Sequence, residues 1–328
     1  MAITTTTEIP AAVSEFYDKT LLVRALPYLV HDKFGQRRPI PTGQSKVIKF
    51  RKYNALAVAT TPLSEGVTPS SNQLAKTDIS ATVAQYGAFV DVTDMVTLTN
   101  VEPVLTEAAE LLGEQAGESL DEIYRAVLVA GTNVAYANAV ADRNSVVTIV
   151  TTADLDKVIR VLSNNMAKMH TKMIKAGTGI GTQPIRPAFW AIVHPDVAFT
   201  LDGLTGFKSV ETYSSQGAVQ PNEIGAYKNI RFVMSTKAKI WTGAGATSGG
   251  FKNTAGEVDV YAMLIFGTDA YGISEIRGNG LKNYVKPLGS AGTADPLNQV
   301  ATSGWKAVTV CKILNDSFML RLETAAAL

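Results

Sequence analysis

The chain has 328 residues, of which 46% are hydrophobic and 18% are charged, and its formal net charge at pH 7 is +1. It therefore lacks the basic excess that a general nucleic-acid-binding protein usually carries, and its single cysteine, Cys311, excludes an intrachain disulfide. No segment reaches the ~18 uninterrupted apolar residues of a membrane span, and the threonine-rich start has no signal-peptide pattern, so we expect a soluble protein without a membrane partner.

The first 41 residues predict an arm rather than a domain. A helical pattern over residues 13–25 is followed by a stretch that prolines and a glycine interrupt. Arg37 and Arg38 lie in that stretch. They are either a contact for nucleic-acid phosphates or, as most arginine pairs are, a solvated or subunit-facing surface. We keep both as candidate DNA-facing residues.

Two alternating segments predict a long projecting hairpin. Residues 46–53 alternate apolar with basic side chains, residues 79–92 alternate similarly, and turn-forming residues fill positions 63–72 between them. Isolated hairpins are only marginally stable in water. The low ratio of charged to hydrophobic residues also indicates that partners cover much of the surface. We therefore expect the hairpin to lie on another copy of the chain.

Glu65 and Gly66 form the predicted tip of this hairpin. Gly66 lies among turn formers, where a positive φ would make alanine cost ~1 kcal/mol or more. Glu65 is the only charged residue between Lys52 and Lys76, and we expect it to pair with a basic residue of a neighbouring subunit. Both residues are candidate intersubunit contacts.

Residues 100–131 predict one long helix, roughly 45 Å in length. Asn100 can cap its start, Pro103 is tolerated in its first turn, and Gly131 offers a left-handed stop. Apolar residues recur at three- and four-residue steps, whereas an opposite face is expected to carry Glu110, Glu114, Glu118 and Asp121. One interpretation is a core helix in which Gly113 and Gly117 each cost ~1 kcal/mol relative to alanine. The other is a spine along an elongated subunit, with the glycines where another backbone approaches closely.

The remainder predicts a mixed α/β lobe and a closing sheet. Strands are expected over residues 145–150, 189–193, 230–234, 258–266 and 271–276, with a helix over 154–175. His194-Pro195-Asp196 predicts the start of another helix. Three strand-like segments, 282–286, 304–313 and 317–322, would form a sheet beside the long helix.

The sequence offers no recognisable catalytic, cofactor or metal site. Glycines at 177–181 lack the preceding strand and following helix of a dinucleotide loop, and Gly249 and Gly250 prevent a phosphate-binding helix after the glycine-rich stretch 243–250. His31, His170 and His194 have no metal-ligand or triad spacing. His31-Asp32 and His194-Pro195-Asp196 could be acid/base pairs, but cap or turn roles are favoured for both. We expect no enzyme activity, no cofactor and no metal.

Short stretches in a fixed order carry a resemblance to a known family. They are YLV at 28–30 before FG at 34–35, PLSEGVTP at 62–69, QYG at 85–87, LVAGTN at 128–133, NEIG at 222–225 before RFV at 231–233, FGTDAYG at 266–272, and DPLNQ at 295–299 with GWK at 304–306. With the order of the predicted elements, they make the chain similar to the major capsid proteins of tailed bacteriophages, in particular those of N-four type podophages. The resemblance runs over nearly the whole chain.

This resemblance implies an α+β, Hong Kong 97-type fold in four parts. They are an N-terminal arm at 1–45, an E-loop at 46–95, a peripheral domain with the spine helix at 96–145 and 281–328, and an axial domain at 146–280. The implied function is structural. Copies would self-assemble into hexamers and pentamers of an icosahedral phage head around double-stranded DNA, in the virion after assembly in the host cytoplasm.

The resemblance also implies partners and alternatives. Portal, scaffolding and decoration proteins are the expected partners besides the chain itself and DNA. Lys76 lies near the loop, but the sequence shows no partner triad, so the covalent crosslinking of some capsid proteins of this fold is not carried over. A nanocompartment shell of the same fold around a protein cargo is the near alternative, and a soluble nucleotide-dependent enzyme is the distant one.

Overall fold

The computed structural model describes residues 29–54, 56–62, 65–66, 68, 70–99, 104–171, 187–212, 220, 222–290 and 295–328. The helices are α1 (Asp94–Thr99), α2 (Val104–Val129), α3 (Thr152–Asn164) and α4 (Pro195–Asp202). The strands are β1 (Gln36–Arg37), β2 (Val47–Tyr53), β3 (Lys76–Thr82), β4 (Ala84–Thr93), β5 (Val134–Tyr136), β6 (Phe189–Val193), β7 (Phe207–Ser209), β8 (Glu223–Tyr227), β9 (Ile230–Met234), β10 (Ile240–Trp241), β11 (Asn253–Thr254), β12 (Glu257–Val258), β13 (Val260–Phe266), β14 (Tyr271–Glu275), β15 (Leu281–Lys286), β16 (Val300–Ile313) and β17 (Met319–Thr324). The fold is therefore α+β, and the predicted arm helix lies outside the described residues.

Helix α2, which we call the spine helix, confirms the predicted long helix. Its packed face recurs at three- and four-residue steps, with Gly113 and Gly117 among its buried residues. Either interpretation of the helix accommodates glycines on that face. The predicted start at Asn100 and Pro103 lies outside the described residues, and the helix ends at Val129, before Gly131.

The expectation that Asp121 faces away from the core is wrong. This spine-helix carboxylate is fully buried, and its Oδ1 accepts the backbone N–H groups of Val30 and His31, each at 2.8 Å. Its Oδ2 lies 2.7 Å from Nδ1 of His31, whose carbonyl accepts the Tyr271 hydroxyl at 2.6 Å. These bonds satisfy a buried charge and tie the first described turn to the spine helix.

The first sheet has five strands in the order β1-β14-β16-β15, with β4 on the other side of β16. Alternate residues of each strand point to opposite faces. One face packs on the spine helix, where Nε1 of Trp305 donates to Oε1 of Gln115 at 3.1 Å and the hydroxyls of Tyr124 and Thr309 lie 2.8 Å apart. The predicted strand over 304–313 therefore lies beside the helix as expected.

The second sheet has eight strands in the order β5-β17-β13-β6-β9-β8-β7, with β10 also paired to β13. It confirms the strands predicted at 189–193 and 230–234, and helix α3 buries Leu155, Val158 and Leu162 in the core that covers it. The strand predicted at 317–322 is β17, which belongs to this sheet and not to the one along the spine helix. The division of the chain into arm, E-loop, peripheral and axial domains stays a prediction.

Two further elements differ from the prediction. Residues 145–150 form no strand; a 3₁₀ turn at Arg143–Ser145 precedes a single bridge between Ile149 and Ala325. The helix predicted over 154–175 ends at Asn164, because Met166 takes a φ of 54° and the next N–H, that of Ala167, bonds back to the Leu162 carbonyl at 3.0 Å. This left-handed stop without glycine has no sequence signature.

Candidate intersubunit surfaces

Strands β2 and β3 form the root of the predicted projecting hairpin. They pair from Val47 opposite Thr82 to Tyr53 opposite Lys76, and the last rung is the bond from Asn54 N–H to the Ala75 carbonyl at 2.9 Å. The second predicted strand is divided at Val83: β3 pairs with β2, whereas β4 pairs with β16 of the first sheet. The predicted hairpin is thus confirmed at its root, where β2 and β3 form a separate two-stranded sheet. We call residues 46–83 the projecting hairpin.

The outer part of the projecting hairpin is exposed along its described length. Tyr53 is 60% exposed, Leu56 52%, Val58 85% and Leu74 71%. At the tip, Gly66 has a φ of +76°, and a Cβ placed there would meet nothing within 4 Å. The expected positive φ is therefore present, and its reason is the turn and not close packing. The intersubunit role of Glu65 and Gly66 stays a prediction.

The root of the hairpin covers half of the first sheet's other face. Ile48 and Val83 pack with Ile40, Val308 and Val310, and the buried Phe50 lies against Gly272. Val308, Val310 and Gly272 all belong to the face that points away from the spine helix. The hairpin therefore starts as a second layer on that face.

The other half of this face, which we call the open face, has no described part of the chain over it. Three adjacent rows cross β15, β16 and β4: Lys282 with Lys306 and Gly87, Tyr284 with Gly304 and Phe89, and Lys286 with Thr302 and Asp91. Phe89 is 70% exposed and Tyr284 49%. They border a groove of about 330 Å³. The open face thus combines two aromatic rings with three lysines and one acid, Asp91.

Sequence reasoning missed the open face. The alternation of Lys282, Tyr284 and Lys286 was a signal for one exposed strand face. The positions of Phe89 and Lys306 beside it depend on pairing between distant segments, which no local pattern reveals.

Arg37 and Arg38 lie on and just after β1, and the structure gives them different surroundings. The Arg37 guanidinium donates to the carboxylate of Asp32. Burial raises the pKa of Asp32, and the neighbouring Arg37 opposes that rise. Arg38 is exposed and borders a cleft of about 230 Å³ that Arg51 and Lys52 also line. Arg51 is paired with Asp78 and Asp269 also lines the cleft, so Arg38 and Lys52 are the basic residues there that add to these pairs.

Other candidate sites resolve into structural roles. His194 caps α4 by accepting the Asp196 N–H at 3.2 Å, and Asp154 forms a capping box with Thr151 at the start of α3. Within the described ranges, no group of three or more His, Cys, Asp or Glu side chains is arranged to hold a metal ion. The helices in those ranges include none long and apolar enough to cross a membrane.

Comparisons with known proteins agree with this architecture. A family model described as phage capsid protein matches residues 76–277, more than half of the chain. The major capsid protein of Pseudomonas phage KPP21 is 26% identical over 210 residues, which cover 59% of this chain and 53% of that protein. The chain therefore spans about half the length of this curated relative.

Solved capsids share the fold at low sequence identity. The capsid of Ralstonia phage GP4 superposes with a TM-score of 0.69 at 11% identity, over 89% of this chain and 87% of that one. The capsid of cyanophage Pam1 gives 0.62 at 14% identity, over 93% and 92%. These similarities show the expected Hong Kong 97-type fold, and the family match shows that the chain belongs to the phage capsid protein family.

Proposed function

We propose that this chain is the shell-forming subunit of a phage head and that it self-assembles into hexamers and pentamers around double-stranded DNA. One observation carries the proposal: the projecting hairpin exposes apolar side chains over its outer part, and the same molecule leaves an aromatic and basic half-face open. Exposed apolar patches of this kind mark sites of protein association. The family match favours a phage shell over the nanocompartment and the nucleotide-dependent enzyme.

The hairpin of one copy is proposed to lie on the open face of the next. Within a copy, the hairpin root already covers the neighbouring rows of that face, so a second hairpin would complete the same layer. Leu56, Val58 and Leu74 would cover Phe89 and Tyr284. Glu65, the lone acid of the outer hairpin, would meet Lys286 or Lys306. Such a contact joins identical copies head to tail, an arrangement that forms rings when the rotation between copies closes.

The proposed contact is tested by exchanging charges between Glu65 at the loop tip and the lysines of the open face. Glu65→Lys is expected to give folded subunits, with an unchanged circular dichroism spectrum, that complete few shells or shells that open on mild heating. A desolvated pair costs several kcal/mol to break, whereas an exposed one costs less than about 1 kcal/mol. Adding Lys286→Glu or Lys306→Glu to Glu65→Lys should restore shells by reversing both charges. Negative-stain images and sedimentation read out the result.

The matched control is Lys312→Glu. Lys312 lies on the same face but beside Gly272, where the hairpin root already packs. Adding Lys312→Glu to Glu65→Lys should therefore not restore shell formation. Shells of Glu65→Lys as heat-resistant as the parent's would show that the loop tip is not an intersubunit contact. A stable monomer at micromolar concentration, with the hairpin protease-resistant, would contradict self-assembly itself.

Of the two arginines, we propose Arg38 as the stronger candidate for a DNA-facing residue. Arg37 already donates to Asp32, whereas Arg38 shares its cleft with Arg51 and Lys52. Its contacts would be with phosphates and without sequence specificity. Portal, scaffolding and decoration proteins are proposed as further partners on the strength of the family alone.

A further inference from the structure

Where the projecting hairpin leaves the first sheet, Val83 alone separates β3 from β4 of that sheet. Among the described residues, β2 and β3 pair with each other and with no strand of the first sheet. Beyond this chain connection, side chains hold the root in place: Ile48 and Val83 pack on Val308, and Phe50 contacts Gly272. The direction in which the hairpin projects therefore depends on how tightly these side chains are packed.

Phe50 is the outermost fully packed residue of β2, at 5% exposure. Its ring sits in a socket made by the absence of a side chain at Gly272. A Cβ at Gly272 would lie 2.9 Å from both Cε1 and Cζ of Phe50 and 3.0 Å from Cδ1 of Leu314. The φ of Gly272 is not in the left-handed region, so space and not backbone conformation requires glycine here.

The surroundings of the socket leave room for the hairpin to tilt. Phe50 and Leu314 border the cleft of about 230 Å³, and across it the Lys52 ammonium lies 5.8 Å from the centre of the Phe318 ring. From Tyr53 outward the described side chains are exposed. The ring of Phe50 therefore holds the hairpin root at one point, next to the cleft that no described side chain fills.

A small tilt at the root becomes a large displacement at the tip. The sixteen or so residues from Phe50 to Gly66 span at most about 55 Å when extended, so a tilt of about 10° would move the tip by up to about 10 Å. Binding contacts need their groups held to within about 0.5 Å of the productive geometry.

We propose that the Phe50–Gly272 socket is a positioning element: it sets the direction of the projecting hairpin and thereby decides whether assembling subunits close into uniform shells. The socket acts on assembly and contributes little to the fold of the subunit, whose main cores lie on the spine helix and in the second sheet. This inference rests on the proposed self-assembly.

Substitutions that change side-chain size at Phe50 and at Gly272 test the proposed positioning role. Gly272→Ala should expel the ring, and Phe50→Ala should empty the socket. Both should leave the circular dichroism spectrum unchanged but yield open, irregular or no shells. The double variant Gly272→Ala with Phe50→Leu removes the two ring atoms that clash and should recover closed shells towards the parent's yield and diameter. Gly249→Ala is the matched control, because a Cβ there meets nothing within 4 Å.

A distance measurement reads the hairpin direction without assembly. Spin labels on cysteines introduced at Lys76 and Lys208, both exposed, report the distance from the hairpin to the second sheet in unassembled subunits, and this distance changes when the hairpin tilts. Native Cys311 is buried and the pKa of its thiol is raised to about 12, so it labels poorly. The distance distribution should be narrow in the parent, broad in Phe50→Ala, displaced in Gly272→Ala and narrow again in the double variant.

Each outcome decides the inference. If Phe50→Ala and Gly272→Ala both show the parent's distance distribution, the socket does not set the hairpin direction. If both variants form uniform shells of the parent's diameter, the socket does not control assembly. Failure of the double variant to recover either readout also counts against the inference. If the parent forms no shells under any condition, the proposed function fails, while the distance measurement still tests what the socket does to the hairpin.

Discussion

His170 shows how one buried side chain makes stability depend on pH. Its ring packs edge-on against Phe34, with centroids 6.4 Å apart, and its backbone pairs with Ala188. Burial lowers the pKa of His170 from 6.5 to about 4, because the imidazolium loses its hydration; a hydrogen bond to the Gly267 backbone and the charge of Asp269 oppose the shift only in part. The unfolded chain therefore takes up a proton at a higher pH than the folded chain.

The sign of the effect follows from that difference. Stability from keeping His170 neutral is complete above pH 6.5 and is lost as the pH falls towards 4. The loss is at most about 3 kcal/mol. His170→Gln should show a smaller decrease than the parent in the free energy of unfolding between pH 7.5 and 4.5, measured by denaturant titration. Carboxylates titrate alike in both proteins, so equal decreases would contradict this role.

At the scale of elements, a buried ion-pair cluster joins the end of the spine helix to β17. The Glu323 carboxylate is fully buried and accepts two bonds from Arg143, at 2.7 and 2.8 Å, and one from Arg321 at 2.8 Å. The Arg321 guanidinium also donates to the Val129 and Gly131 carbonyls at the helix end. A cation there satisfies orphan carbonyls and complements the helix dipole.

Removing Arg321 should therefore loosen this junction. Arg321→Met keeps the aliphatic stem but leaves Glu323 with one partner and the helix carbonyls without this donor. We expect the free energy of unfolding to fall by about 3 kcal/mol. Thermal unfolding of the unassembled subunit measures the change. Arg160→Met, at an exposed position on α3, is the control and should change stability by less than about 0.5 kcal/mol. Equal effects of the two substitutions would refute the role of the junction.

At the scale of the whole molecule, a net charge of +1 conceals a separation of charge across the first sheet. The spine helix carries Glu107, Glu110, Glu114, Glu118 and Glu122 on its side, the last two of them paired with Lys237. The open face carries Lys282, Lys286 and Lys306 with one acid, Asp91. Arg38 and its cleft add cations next to the hairpin root. Net charge alone therefore understates how strongly one side of the subunit can attract an anion.

Binding of free DNA should accordingly be weak and steeply salt-dependent. Each phosphate contact contributes about 0.9 to the slope of the logarithm of the binding constant against the logarithm of salt concentration, so Arg38→Ala should lower the slope by about 1. Arg37→Ala should lower it less, because Arg37 is engaged by Asp32. Fluorescence anisotropy with duplexes of unrelated sequence measures both. Sequence-specific binding that survives high salt would contradict the proposal.

The sequence by itself determined the elements that repeat a local pattern. Three- and four-residue periodicity predicted the spine helix, alternation predicted the two hairpin strands, and the ordered stretches predicted the capsid family. The first two signals each lie within one segment of the chain, and the third needs only the order of short stretches along it. The exposed tip with a positive φ at Gly66 was likewise predictable, because turn formers surround it.

Only the tertiary structure decided which residues meet across long separations. Asp121 is buried because it compensates two N–H groups some 90 positions away, and the predicted strand at 79–92 divides because Val83 packs on Val308. The open face exists because β4, β15 and β16 pair side by side. The Phe50–Gly272 socket exists because two strands from different parts of the chain approach until no side chain fits between them. Such contacts depend on the three-dimensional packing of segments whose own sequences are compatible with many neighbours.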